Sequence, residues 1–207
     1  MSLLLLTALA CTPEGPAPSP PIDPPTASAP AGAQESPSGA PSRQLAEAPV
    51  TYTLSFDDRD NHMLDVRVDT PTSGADPLIV WMPTWTPGSY LIREYARHVE
   101  DIQARAPDGS VLQIERVTKN RWSIATGGAD AVAITYRLYA KEPSVRTNFI
   151  DGDLAILNGA STFLTPLEDV TRPHRVVATL PAEWRGGYTG LTPTPGGGPA
   201  DWTAESL

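Results

Sequence analysis

The chain has 207 residues, a formal net charge of −9 and 23 prolines. Eleven prolines precede Val50, and residues 1–49 contain no aromatic residue, so this part cannot bury enough apolar surface to offset the entropy of ordering it. An acidic chain without a basic cluster is not expected to bind nucleic acid. The lone cysteine, Cys11, excludes an internal disulfide and a cysteine-based zinc site. We therefore expect a leader of about fifty residues followed by one folded domain.

The first eleven residues predict export. Residues 2–10 form a short apolar segment that ends in small residues directly before Cys11. Either Ala8-Leu9-Ala10 is a secretory cleavage site, or Cys11 is the lipidated first residue of a mature bacterial lipoprotein. Both patterns are incomplete, because the first basic residue is Arg43, and a cytosolic chain with an apolar N-terminus is the alternative. We expect a protein of the bacterial cell envelope, in the periplasm or at the outer membrane, anchored to the membrane by a lipid on Cys11.

Residues 12–49 are a low-complexity stretch rich in proline, alanine and serine. Proline fixes φ and removes a backbone donor, so neither a helix nor a strand ladder can propagate here. We predict a disordered linker that samples polyproline II and coil and serves as a spacer.

From Val50 onward the dominant period is two, which predicts half-buried antiparallel strands separated by turns. An Asp-Gly pair at residues 108–109 predicts a hairpin, and the apolar run 78–82 predicts a strand covered on both faces. A single short helix is predicted near residues 91–99. The predicted strands are residues 50–56, 62–68, 78–82, 99–106, 111–118, 121–125, 132–140, 145–150, 154–157, 162–164 and 175–180. This spacing favours an all-β fold, an antiparallel β-sandwich over residues 50–192, with residues 193–207 as a linker toward a further domain.

The sequence contains few residues in patterns that indicate metal binding. His62, His98 and His174 lack the spacing that places metal ligands on one face, and His62 is predicted to be a core imidazole. The zinc motif H-E-x-x-H is absent from the sequence. The acidic turns at residues 57–61 and 151–153 could bind calcium, but solvated turns are the favoured interpretation.

Residues 81–98 are unusual for a plain sandwich. They contain two tryptophans, two tyrosines and the charged group Arg93, Glu94 and Arg97. Such side chains combine a large apolar area with polar tips. The segment is therefore either a packed corner of the domain or a docking surface for a substrate or another domain.

The order Trp-Thr-Pro-Gly-Ser-Tyr-Leu-Ile-Arg-Glu-Tyr-Ala-Arg-His at residues 85–98 closely resembles the signature of a known family. This family is the glycyl aminopeptidase family of zinc metallopeptidases, multidomain proteins that often carry a PDZ domain, and the signature belongs to their N-terminal domain. Further stretches agree with it in the same order. They are residues 52–56, 119–122, 136–140, 144–151 and 157–161. The resemblance covers about residues 50–192 and implies an N-terminal β domain of the aminopeptidase type.

The resemblance also implies a partner. In this family the β domain packs on a thermolysin-like catalytic domain, which carries H-E-x-x-H and a further acidic ligand and holds the zinc. We expect no catalytic residue, metal ligand or cofactor in the present chain, which looks like a front domain truncated from, or split from, its catalytic domain. A peptide substrate is expected only for the full enzyme. The residues expected at the interdomain face and substrate cleft are Trp85, Tyr90, Arg93, Arg146 and Asn158.

Two other functions remain open at this point. One is a stand-alone surface lipoprotein whose sandwich binds a ligand such as a carbohydrate through Trp81, Trp85 or Trp122. The other is a structural or adhesion module.

Overall fold

The structure, a computed structural model, describes residues 4–7, 48–86, 88–89, 91–168 and 171–205, and residues 4–7 only as backbone. The strands in these ranges are β1 (Leu4–Thr7), β2 (Val50–Ser55), β3 (Met63–Pro71), β4 (Leu78–Trp81), β5 (Val99–Arg105), β6 (Val111–Leu112), β7 (Ile114–Thr118), β8 (Arg121–Ile124), β9 (Ala131–Tyr139), β10 (Phe149–Ile150), β11 (Ala155–Asn158), β12 (Thr165–Pro166), β13 (His174–Thr179), β14 (Gly187–Thr189), β15 (Thr192–Pro193) and β16 (Asp201–Ala204). The helical elements are α1 (Gly159–Thr162) and the 3-10 turns Arg59–Asn61 and Tyr95–His98.

An eight-stranded sheet in the order β15-β16-β13-β2-β3-β9-β5-β6 forms the main layer. Its pairs are antiparallel except β13 and β2, which run parallel with His174 opposite Val50. A four-stranded sheet has the order β12-β4-β8-β7, and a third has the order β10-β11-β1-β14. In the third sheet β1 is parallel to both of its neighbours. The fold is all-β and sandwich-like, as the alternating pattern predicted.

The core forms where alternate residues of the long strands face inward. In β2, β3 and β9 these residues lie opposite one another in register, for example Val66 beside Tyr136 and Leu54 beside Val66. All three are 2% exposed or less. Because side chains alternate between the two faces of a strand, the sequence places one whole apolar face on the same side of the sheet.

Two tyrosines connect the main sheet to the segment that leads into β12. The Tyr52 ring packs 4.4 Å from the Phe163 ring, and its hydroxyl lies 3.0 Å from Thr165 Oγ1. The Tyr136 hydroxyl donates to Thr162 O at 2.7 Å and accepts from the Leu164 N–H at 3.1 Å. Burial raises the pKa of both phenols, so both remain protonated donors at neutral pH. These bonds fix α1 and β12 over the core.

Several local predictions differ from the structure. The run 78–82 is not covered on both faces, because Ile79 and Trp81 are only half-buried. Residues 162–164 form the end of α1 and its exit rather than a strand, and only residues 149–150 of the predicted strand 145–150 are extended in a sheet. The predicted helix near residues 91–99 is a single 3-10 turn at residues 95–98.

The hairpin prediction is confirmed in part. Strands β5 and β6 pair around the turn, in which Gly109 has φ of 86°. The strand predicted at 111–118 is divided between β6 and β7, and β7 pairs with β8 in the smaller sheet. His62 precedes β3 in the left-handed region, with φ of 61°, and is half-buried rather than a core residue. Its Nδ1 lies 2.5 Å from Ile150 O.

The predicted linker, residues 12–49, lies outside the described residues except for its last two. Cys11 and Tyr90 also lie outside them. No helix in the described part of the chain is both long and apolar enough to cross a membrane.

Candidate functional site

The candidate site is built around two asparagines that join the loop before β10 to the start of α1. Asn158 is the N-cap of α1, and its Oδ1 accepts from the Ala160 N–H at 3.0 Å. Its Nδ2 donates to Val145 O at 3.1 Å. Asn148 is 6% exposed, and its Oδ1 accepts from the Asn158 N–H at 2.9 Å. The two amides therefore hold the 143–148 loop against α1.

A cavity of about 50 Å³ lies beside this asparagine pair. It is lined by Tyr95, His98, Tyr139, Lys141, Glu142, Thr147, Asn148 and Ser161. The Tyr95 hydroxyl is buried and has no hydrogen-bond partner among the described residues. Burial and the neighbouring Arg97 lower the pKa of His98, so its imidazole is neutral at pH 7. Its Nε2 accepts a hydrogen bond from Arg97 Nε at 3.0 Å.

The segment before this cavity carries the predicted residues Trp85 and Arg93. A backbone bond from the Arg93 N–H to Thr84 O, at 2.6 Å, closes residues 84–93 into a loop. The Arg93 side chain is half-buried, and its Nε is buried with no partner in the described part of the chain. Trp85 at the other end of the loop is 57% exposed.

Large apolar side chains are exposed on the two segments that lead into the cavity. Leu91 and Ile92 are 61% and 73% exposed, and Val145 is 81% exposed. Leu91 and Ile92 come four and three residues before Tyr95. Val145 comes two residues before Thr147, and both Tyr95 and Thr147 line the cavity. Exposed apolar patches on a protein surface often mark interaction sites.

Two acidic residues near this surface, Glu94 and Glu142, form ion pairs with other residues. Glu94 forms an ion pair with Lys119, which lowers the pKa of its carboxyl. Arg97 Nη2 lies 3.3 Å from Glu142 Oε1. No ion pair between described residues involves Arg93 or the exposed Arg146, a second predicted site residue. Arg93 and Arg146 are therefore cations on this surface that form no ion pair with a carboxylate of the described residues.

The structure brings Asn158 into the site, and it places Trp85 and Arg93 on one bordering loop and Arg146 on another. Sequence reasoning did not assign Asn148, Ser161 or Tyr95 to the site. Asn148 and Ser161 lie in the stretches 144–151 and 157–161, which resemble the family sequence. The polar residues of these stretches could therefore have been selected as site candidates. Their role depends on a contact across ten or more residues, which periodicity does not reveal.

The tryptophans proposed for ligand stacking do not share one exposed face. Trp122 is 3% exposed, and the Arg116 guanidinium lies 5.1 Å above its ring. Trp81 is half-buried in β4. Within the described ranges no group of three or more histidine, cysteine, aspartate or glutamate side chains is placed to hold a metal ion.

Comparison with known proteins identifies the family of this chain. Residues 51–207 match the family model described as the peptidase M61 N-terminal domain. Among solved structures, the chain is similar to an aminopeptidase N family protein from Idiomarina loihiensis, with 24% identity and a TM-score of 0.65. The match covers 76% of this chain and 27% of that protein, so the chain spans about a quarter of its length. No curated protein matches the chain significantly.

Proposed function

Because the chain belongs to the peptidase M61 N-terminal domain family, we propose that it is the non-catalytic front domain of an exported zinc metallo-aminopeptidase. In this role it packs on the catalytic domain and helps to shape the substrate cleft. The observation that carries the proposal is the strong exposure of four large apolar side chains, Trp85, Leu91, Ile92 and Val145, on the segments that lead into the candidate site. We refer to these four residues as the apolar rim.

The apolar rim has the composition of an interface. Each of its side chains is more than half exposed in this chain, and burying one against a partner contributes roughly 1.5–3 kcal/mol. The Asn158 amide, which donates to the backbone carbonyl of Val145, is already fixed by hydrogen bonds in this chain. Groups that are fixed before binding favour docking with little rearrangement of the chain.

The size of the cavity supports a role as a wall of the cleft and not as a complete binding pocket. Its volume of about 50 Å³ is far below the ~300–1,000 Å³ of pockets that enclose an organic ligand. A peptide could touch this surface but could not be enclosed by it. The remainder of such a cleft would be supplied by the catalytic domain.

The zinc and the hydrolytic step belong, in this proposal, to the catalytic domain. The described residues offer no metal-ligand cluster, and the sequence has no H-E-x-x-H motif. We therefore expect the purified chain to cleave no aminoacyl substrate in the presence of zinc. Zinc-dependent cleavage that copurifies with the chain would contradict the proposal.

The direct test is complex formation with the catalytic domain of the M61 peptidase from the same source organism, produced separately and added to this chain. Calorimetry should detect a one-to-one complex. The double variant Ile92→Asp/Val145→Asp should weaken it by about 100-fold or more. The matched control is Val111→Asp, which places the same charge at a 68% exposed valine on β6 and should leave binding unchanged. Absence of any complex with the unaltered chain would refute the proposal.

We also propose that Cys11 carries a lipid that anchors the domain to the cell envelope. The support is the apolar segment that ends directly before the single cysteine of the chain. Metabolic labelling with a fatty-acid analogue in a bacterial host should label the unaltered chain and not Cys11→Ser. Fractionation should then move the variant from the membrane to the soluble envelope fraction, whereas labelling of both proteins would contradict the assignment.

A further inference from the structure

Three buried hydrogen-bond donors without acceptors occur within fifteen residues of one another. They are Trp81 Nε1, Arg93 Nε and the Tyr95 hydroxyl, and none has a partner in the described ranges. Most buried polar groups in folded proteins are paired, so three unpaired donors in one segment are unusual. The chain itself shields these three atoms from solvent, so a partner cannot reach them directly. The two Nη atoms of Arg93 are not buried in this way, and they remain open to an acceptor from another molecule or domain.

Of the three residues, Arg93 has the largest cost of an unpaired donor, because it is charged. Its side chain is half-buried, its Nε is shielded from water, and no ion pair or side-chain hydrogen bond to a described residue satisfies its guanidinium. Nearby carboxylates do not serve it, since Glu94 pairs with Lys119 and Glu142 pairs with Arg97. An arginine that loses hydration without gaining a carboxylate is destabilising in the isolated chain.

We propose that Arg93 binds a carboxylate of the catalytic domain, so that the partner surface is acidic at its centre and apolar around it. This inference rests on the proposed function and adds the chemistry of the partner. A carboxylate matches the planar fork of the guanidinium with two parallel hydrogen bonds. The apolar rim excludes water around this contact when the domains meet, which strengthens the ion pair.

Charge also favours a carboxylate over a neutral acceptor. The chain is acidic overall, with a net charge of −9, yet Arg93 and Arg146 stand on this surface without ion-pair partners in the described residues. An acidic partner would be repelled from most of the chain and attracted here. Electrostatic complementarity of this kind selects the orientation in which two domains dock.

The test uses the complex described above and four variants of the full chain. Arg93→Met keeps the apolar stem and should weaken binding by about 30-fold or more, and Arg93→Glu should weaken it further. Arg93→Lys keeps the charge but loses the fork, and it should fall between Arg93→Met and the unaltered chain. The control is Arg105→Glu, since Arg105 lies on β5 and its guanidinium donates to the backbone carbonyl of Gly109 at 3.1 Å.

A second measurement separates the ion pair from a folding defect. In the isolated chain, Arg93→Met should leave the melting temperature unchanged or raise it, because it removes a partly desolvated charge that has no partner. A lower melting temperature with unchanged binding would overturn the inference. If all four variants bind the catalytic domain as tightly as the unaltered chain does, the inference is also overturned. The proposed function would stand, because the complex still forms.

Two other outcomes would contradict the inference. If the unaltered chain forms no complex, both the proposed function and this inference fail. If sedimentation shows that the isolated chain dimerises and that Arg93→Glu abolishes the dimer, the occupant is a second copy of the chain. In that case the carboxylate of the catalytic domain is excluded as the partner of Arg93.

Discussion

The amide oxygen of Asn148 accepts the backbone N–H of Asn158 at 2.9 Å and thereby joins two segments that are ten residues apart. Its Nδ2 donates to Ser161 O at 3.0 Å. The buried hydroxyls of Ser161 and Thr162 each lie within hydrogen-bond distance of both Asn148 Oδ1, at 2.9 and 3.1 Å, and Asn158 O, at 3.1 and 2.7 Å. The Asn148 side chain therefore bonds both Asn158 and Ser161 and holds one wall of the candidate site in place.

Replacing Asn148 should lower the stability of the fold. Asn148→Leu leaves the Asn158 N–H and Ser161 O without this partner, and we expect the free energy of unfolding to fall by about 1–3 kcal/mol. Urea unfolding followed by tryptophan fluorescence measures the change. The control Gln113→Leu removes an exposed amide and should shift stability by less than about 0.5 kcal/mol. Equal effects of the two changes would show that the Asn148 bonds contribute nothing specific.

The N-cap of α1 allows a graded test. Asn158→Ala removes both the cap acceptor for the Ala160 N–H and the donor to Val145 O, and should cost about 1 kcal/mol. Asn158→Asp keeps the acceptor and loses only the donor, so it should cost less. Chemical denaturation of the two variants ranks them, and a larger loss for Asn158→Asp would contradict the capping role.

Tyr136 connects the main sheet to the exit of α1, so its hydroxyl is a third test. Tyr136→Phe leaves the Leu164 N–H and Thr162 O without this partner, and we expect a loss of about 1–3 kcal/mol. Tyr52→Phe is the matched change, because its hydroxyl makes a single bond, to Thr165 Oγ1. Differential scanning calorimetry should show the larger decrease in melting temperature for Tyr136→Phe.

The sequence predicted the fold best where one face of a long strand is buried. In β2, β3 and β9 the apolar residues alternate without a break, and each strand forms close to its predicted bounds. The short elements around α1 were not predicted, because hydrogen bonds from Asn148 and Tyr136 determine their conformation and not local periodicity. The parallel pairing of β13 with β2 also depends on topology that alternation does not encode.

The sequence also predicted only some residues of the candidate site. Arg93 and Trp85 could be selected because they stand in a long, distinctive motif. The exposure of Trp85, and the finding that no ion pair between described residues involves Arg93, required the folded structure. Tyr95 belongs to the same motif, but the burial of its hydroxyl without a hydrogen-bond partner among the described residues could be read only from the fold.

The ion pair between Arg175 and Asp201 predicts a specific acid sensitivity. Arg175 Nε and Nη2 donate to the two carboxylate oxygens at 2.9 and 2.5 Å, and this hydrogen bonding lowers the pKa of Asp201 from 3.8 to about 2. Because the folded pKa lies below the unfolded one, the stabilisation is present above pH 3.8 and is lost as the pH falls toward 2. Asp201→Asn removes this contribution.

The stability difference between the unaltered chain and Asp201→Asn should therefore be largest above pH 4 and should narrow toward pH 2. Urea unfolding at several pH values measures the difference. Arg175→Gln should give the same pH profile, since it removes the other partner of the pair. A difference that stays constant across this range would show that the ion pair does not cause the acid sensitivity.

The same carboxylate makes Gly197 intolerant of a side chain. A Cβ at this position would lie 2.6 Å from Asp201 Oδ2 and 2.8 Å from its Cγ, whereas a Cβ at Gly198 would meet nothing within 4 Å. Gly197→Ala should push the carboxylate away from Arg175 and cost about 1–3 kcal/mol, and Gly198→Ala should be neutral or slightly stabilising. Adding Asp201→Ala removes the two closest atoms and leaves only the Asp201 Cβ, at 3.0 Å from the new Cβ, so Gly197→Ala should cost less in that background. Thermal unfolding of the four proteins measures this coupling, and additive effects would show that the clash with Asp201 is not the cause.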